Sequence, residues 1–147
     1  MFKQSFQRYV CEGDRITCEV DGFTVTATVY RDDSSDKPDE RDDGFWPSLD
    51  PKSAGYIGPK SKRTLARHQA KAQAIMDAWL RDEWFYCGVA ITIEKEDVQL
   101  LHRYGHALWG IECNYPGSDN SYLQEVANEL LGEALDEARA VLAKLAA

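Results

Sequence analysis

The chain has 147 residues, single-domain length, and with 44% hydrophobic and 29% charged residues it can bury a core, which excludes wholesale disorder. Lys and Arg number 17 against 25 Asp and Glu, a net charge of −8. Such a surface repels duplex DNA and anionic membranes on average, while a local basic patch is still compatible with it.

No apolar run approaches the roughly 20 residues that cross a bilayer. Met1 to Phe6 also lacks the apolar centre of a secretory signal, so no membrane association and a cytoplasmic location are expected. Cys11, Cys18, Cys87 and Cys113 are scattered with no C-x-x-C pair, so reduced thiols are expected rather than a metal ribbon or redox dithiol. No cofactor and no metal are expected.

Between Arg15 and Tyr30 two alternating runs flank Asp21-Gly22, a dipeptide suited to a type I′ hairpin turn. Pairing Val20 with Phe23 then puts Ile16, Cys18 and Val20 on one face with Phe23, Val25, Ala27 and Val29. From Arg31 to about Lys60 the periodicity stops, and Pro38, Pro47, Pro51 and Pro59 mark a long loop. Its first part, to Asp43, holds seven acids against three bases, a local −4, and reads as solvated. Its second part carries Phe45, Trp46, Leu49, Tyr56 and Ile57, apolar enough to pin it down.

Lys60 to Asp82 reads as a helix, with Leu65, Ala72, Met76 and Trp79 at helical intervals. Lys60, Lys62, Arg63, Arg67 and Lys71 crowd its start with no acid among them, an unfavourable placement beside a helix N-terminus. Trp84 to Ile93 reads as a central strand, and His106 to Cys113 as another after the polar connection around Glu94 to Asp97. Ser118, Asp119 or Ser121 can cap a last helix, with Ser121 and Gln124 at capping-box spacing. Its apolar stripe runs through Leu123, Val126, Ala127, Leu130, Leu131, Ala134, Leu135, Ala138, Val141, Leu142 and Leu145, and Gly132 within it costs about 1 kcal/mol unless packing needs it. The expected fold is α+β and a single domain over 1–147: a four-stranded antiparallel sheet in the order ββαββα, with both helices on one face.

Catalytic groups are sparse. No G-x-S-x-G elbow is present, and Cys113 and His106 lie too far apart along one strand. Cys87 with His106 survives as a pair across neighbouring strands, though a thiol between Phe85 and Val89 should be inert. Gly55 to Ser61 fails as a phosphate loop, because two residues separate its glycines and Pro59 has no N–H to offer. Asp32, Asp33 and Asp36 lack the spacing of a calcium loop.

Two charged constellations remain. Lys60, Lys62, Arg63, Arg67 and Lys71 could hold phosphates, or else pair internally with the abundant acids, the expectation preferred on charge inventory. Glu125, Glu129, Glu133, Asp136 and Glu137 recur near helical spacing, about 6 Å per step, so they form a ridge opposite the apolar stripe whose spacing resembles DNA phosphates. A plain solubilising helix face would look the same.

Ala78-Trp79-Leu80-Arg81-Asp82-Glu83-Trp84-Phe85-Tyr86-Cys87-Gly88-Val89, then Ala107-Leu108-Trp109-Gly110-Ile111-Glu112, then Tyr122-Leu123-Gln124-Glu125-Val126-Ala127-Asn128-Glu129-Leu130 resembles a group of small acidic uncharacterised phage and plasmid proteins. Their shared pattern is W-x-Y-V/C-G-V, S/A-L-W-G-I-E and Y-L-x-E-V-A-x-E-L. The likeness covers the C-terminal half and implies an accessory role for a mobile element, without a mechanism. Glu112 within it is expected to be partly buried and ion-paired with Arg103 or Arg81, or less simply a catalytic acid.

The expectation is therefore a non-enzymatic protein that binds a host macromolecule through acidic surfaces. Its ligating groups would be Glu125, Glu129, Glu133, Asp136, Glu137, Asp32, Asp33 and Asp36. The partner would be a DNA-binding defence effector, inhibited by mimicry of nucleic acid. The alternative is a nucleic-acid-binding protein using residues 60–71, and the apolar stripe of the last helix could also serve a homodimer.

Overall fold

In the computed structural model, which describes residues 1–42, 45–58 and 62–146 except the side chains of Arg103 and Tyr104, Asp21 and Gly22 take φ of 51° and 83°. That left-handed pair makes the type I′ turn whose twist matches two flanking strands, β1 (Arg15–Val20) and β2 (Phe23–Arg31). Val20 pairs with Phe23 and Arg15 with Thr28, so Phe23, Val25, Ala27 and Val29 all point to one buried face. A second turn of the same kind, Glu96-Asp97 at φ 50° and 65°, joins β3 (Phe85–Lys95) to β4 (Val98–Cys113).

The result is an α+β chain with an antiparallel sheet in spatial order β1-β2-β3-β4 and two helices, α1 (Lys62–Leu80) and α2 (Ser121–Ala146). The expected ββαββα order needs correction at β4. The alternation predicts a strand beginning only at His106, whereas pairing resumes at once after the Glu96-Asp97 turn, with Lys95 opposite Val98. Val98 to Leu101 pairs with the end of β3, the register then slips, and His106 to Cys113 pairs with its start. Counted as separate paired stretches these make five, in the order β β α β β β α.

Contacts along the chain divide it into two compact units, residues 1–33 with 85–147 and residues 34–84. The first unit holds the sheet and α2, which lies against β3 and β4. Its core joins Phe23, Val25 and Val29 of β2 with Cys87, Val89, Ile91 and Ile93 of β3, under Leu123, Ala127, Leu131, Ala134 and Ala138 of α2. Of the stripe considered above as a dimer seam, Leu123, Ala127, Leu131, Ala134, Leu135 and Ala138 are buried in this core, while Leu145 at its end is 67% exposed. Gly88 takes part for a steric reason: a Cβ there would overlap the six-membered ring of Trp109 on β4.

The segment before β1, which shows no periodicity, is built into this unit. Phe2 is 1% exposed and Val10 is fully buried. Side-chain amides hold the backbone between them: Phe2 N donates to Asn128 Oδ1 at 2.8 Å, Gln124 Nε2 to Phe2 O at 3.0 Å, and Val10 N to Asn114 Oδ1 at 2.8 Å. Asn120, 1% exposed, donates from Nδ2 to Arg8 O and to Asn114 Oδ1, and accepts from Asn114 N. The capping box expected at Ser121 and Gln124 does not form. Gln124 is drawn to the N-terminal strap instead, and Asp119 Oδ1 accepts from Ser121 N at 2.9 Å to cap α2.

The second unit contains α1 and the loop before it, with a short 3-10 turn at Pro38–Glu40 and a bridge between Ser48 and Tyr56. Ala72, Met76 and Ala78 are the buried side of α1, and Trp84 Nε1 donates to Ile75 O at 2.9 Å. The helix ends in a Schellman motif. Asp82 at φ 60° lets its N–H reach Trp79 O while Glu83 N reaches Ala78 O.

Candidate functional site

α2 carries the expected acidic ridge on its outer side. At about 100° per residue, Glu125, Asp136, Glu129, Glu133 and Glu137 fall within an arc of roughly 120°, nearly opposite the buried Leu123, Ala127, Leu131, Ala134 and Ala138. All five carboxylates are exposed. Glu125, Glu129 and Glu133 have no ion pair among the described residues, whereas Asp136 shares Arg139 at 3.5 Å with Asp21, which meets the same guanidinium at 3.0 Å. Glu137 lines a cavity of about 270 Å³ with His102, His106 and Val141. The uninterrupted part of the ridge is therefore Glu125, Glu129 and Glu133, one helical turn apart.

Gly132 lies on this same outer side, exposed, with nothing within 4 Å of where a Cβ would stand. No packing compensates its backbone freedom. Gly132→Ala is expected to stabilise the protein by about 0.5–1 kcal/mol, read as a higher urea midpoint with an unchanged slope.

The other acids named from sequence lie elsewhere and are partly engaged. Asp32 is half-buried, and its Oδ2 accepts from Gly110 N at 2.9 Å, where Gly110 at φ 74° bulges β4. Asp33 pairs with Arg31 at 3.3 Å, and that guanidinium stands 4.8 Å from the centre of the Phe85 ring. Asp36 is exposed in the second unit. The sequence brought Asp32 to Asp36 together as one solvated run. The hydrogen bond from Gly110, 78 residues away, is what separates them.

Lys62, Arg63, Arg67 and Lys71 are exposed on the first half of α1, and Lys60 lies outside the described residues. None of these four side chains has an ion pair among the described residues, so the expected internal pairing is not formed. The acids of α1 and its exit are used otherwise: Asp77 Oδ1 accepts from Gln73, and Glu83 takes Arg81 at 2.8 Å.

The reactive-group candidates come apart on geometry. Cys87 pairs across to Ile111 and His106 to Ile91, so four residues of strand, roughly 13 Å, separate the suggested pair. The hydrogen bond to Cys113 and then burial raise the Cys87 thiol far above its ordinary range, which keeps it protonated. Glu112 is exposed rather than partly buried, Arg81 belongs to Glu83, and the Arg103 side chain lies outside the described residues. Tyr122 is raised by burial and then by Cys87, Cys113 and Glu112 nearby. Among the described residues no three His, Cys, Asp or Glu side chains converge as metal ligands, and no helix is long and apolar enough to cross a membrane.

Charge is divided between the two units. Residues 34–84 contain nine acids and nine bases, a net of zero, while the remainder contains 16 acids and eight bases and carries the whole −8. No protein-family model, curated protein or solved structure matches the chain.

Proposed function

We propose that this protein works without catalysis, by presenting the acidic surface of its sheet unit to a basic macromolecule. The observation that carries the reading is the carboxylate ridge of Glu125, Glu129 and Glu133, exposed and without ion pairs on a unit that holds all of the net −8. Three carboxylates one helical turn apart, about 6 Å, offer a cationic groove a row of charges spaced like backbone phosphates. The resemblance to phage and plasmid proteins supports a particular partner class: a host defence effector whose nucleic-acid groove the ridge would occupy. Asp136 and Glu137 extend the ridge toward the end of α2, and Asp33 adds a weaker acidic point. Such a partner would be met in the host cytoplasm.

A wholly exposed ion pair contributes about 0.2–1 kcal/mol, but pairs desolvated in an interface couple more strongly. The variant Glu125→Gln/Glu129→Gln/Glu133→Gln is therefore expected to lose at least tenfold in affinity while keeping its fold, since glutamine is as good a helix former. The assay is an affinity pull-down from host extract at two salt concentrations, followed by titration of the captured protein. Retention that ignores both salt and the triple substitution would reject the ridge as the binding element.

A further inference from the structure

We infer that the outer face of α1 is a second, independent binding surface, one that takes the phosphodiester backbone of single-stranded nucleic acid. Arg63, Arg67 and Lys71 follow each other at four-residue steps on one side of α1, with Lys62 beside them, and all four are exposed. Successive guanidinium and ammonium groups thus stand about 6 Å apart, a step that one nucleic-acid strand can follow phosphate by phosphate.

Two features make this more than an ordinary polar face. The first turn of α1 contains no acid, and Lys62 and Arg63 sit in it, where the helix dipole is itself positive and repels them; Arg67 and Lys71 continue the row beyond that turn. The chain has an excess of eight acids, yet none of the four cations is ion-paired among the described residues. The fold thus leaves a repulsive cluster unneutralised where acids are plentiful, and a polyanion would relieve it. The overall negative charge does not forbid this. It resides in residues 1–33 and 85–147, whereas the unit bearing α1 is neutral.

The inference does not depend on the acidic ridge, and its test leaves the ridge untouched. Fluorescence anisotropy would follow a labelled 20-nucleotide single strand, with a matching duplex and a single-stranded RNA as further arms, starting at about 50 mM salt. The expected result is saturable binding of single strands whose logarithmic salt slope is near −3, four phosphates at about 0.7 each. Arg63→Gln/Arg67→Gln/Lys71→Gln should weaken binding at least tenfold and flatten the slope by about 2, with its helical circular dichroism preserved. Lys37→Gln/Lys52→Gln, which removes cations of the same unit that lie off this helix, should bind like the parent. Equal loss in the two variants would reduce the effect to net charge and overturn the assignment to α1, as would absence of binding by the parent chain. Preference for the duplex would overturn the single-strand assignment. Failure of all arms would leave the proposal about the acidic ridge standing, because that rests on a different unit and a ligand of opposite charge.

Discussion

Asn120→Ala is expected to cost about 3–5 kcal/mol, a large part of the 5–15 kcal/mol that holds a typical domain together. The Asn120 amide bonds Arg8 O, Asn114 Oδ1 and Asn114 N at 2.8–2.9 Å while only 1% exposed. Alanine would strand a carbonyl and an N–H away from water, at roughly 1–3 kcal/mol each. It would also have to adopt φ of 63°, which asparagine tolerates and alanine resists by about 1 kcal/mol. The thermal midpoint should fall by on the order of 10 °C or more. Asn120→Gly separates the two causes, since it relieves the backbone and still loses the hydrogen bonds. A drop under about 1 kcal/mol for alanine would mean that water replaces the amide, and that the strap is not held as described.

Phe2→Ala is expected to cost a further 3–5 kcal/mol when made alone, the usual range for deleting a buried aromatic ring. Phe2 is 1% exposed and belongs to the same cluster as Val29, Leu123 and Ala127. Both substitutions act on one strap, whose residues 2 to 10 are held by Asn114, Asn120, Gln124 and Asn128. Once the strap is loose, its remaining contacts are already lost. The double variant should therefore cost clearly less than the sum of the two, with a coupling of about 1–2 kcal/mol. Chemical denaturation of the four proteins measures it. Strict additivity would show that Phe2 and Asn120 hold the chain separately.

Much of the sheet was legible because its cues are local. Asp21-Gly22 demands a left-handed turn, and once Val20 faces Phe23 every other side chain of β1 and β2 has its face. The hairpin at Glu96-Asp97 was missed for the same kind of reason in reverse. Two acids in a run of charges resemble a solvated connection, and only the pairing of Lys95 with Val98 holds both at positive φ. The strap was invisible because residues 1 to 14 have neither period nor motif, and its anchors lie more than 100 positions away. Asparagine in sequence suggests turns and caps, so nothing marks one as the bolt of a distant segment.

The candidate surfaces divide in the same way. By itself the sequence determined the acidic ridge, since a regular helix puts residues four apart on one side and the apolar stripe tells which side is buried. It likewise determined that cations gather at the start of α1. Only the tertiary structure decided that Lys62, Arg63, Arg67 and Lys71 go without ion pairs among the described residues, that Asp32 is held by Gly110, and that the buried part of the α2 stripe joins the core of the sheet. The reason is one of range. Helical and strand periodicity is written into neighbouring residues, whereas whether a charge or an apolar stripe finds a partner depends on which remote segments folding brings beside it.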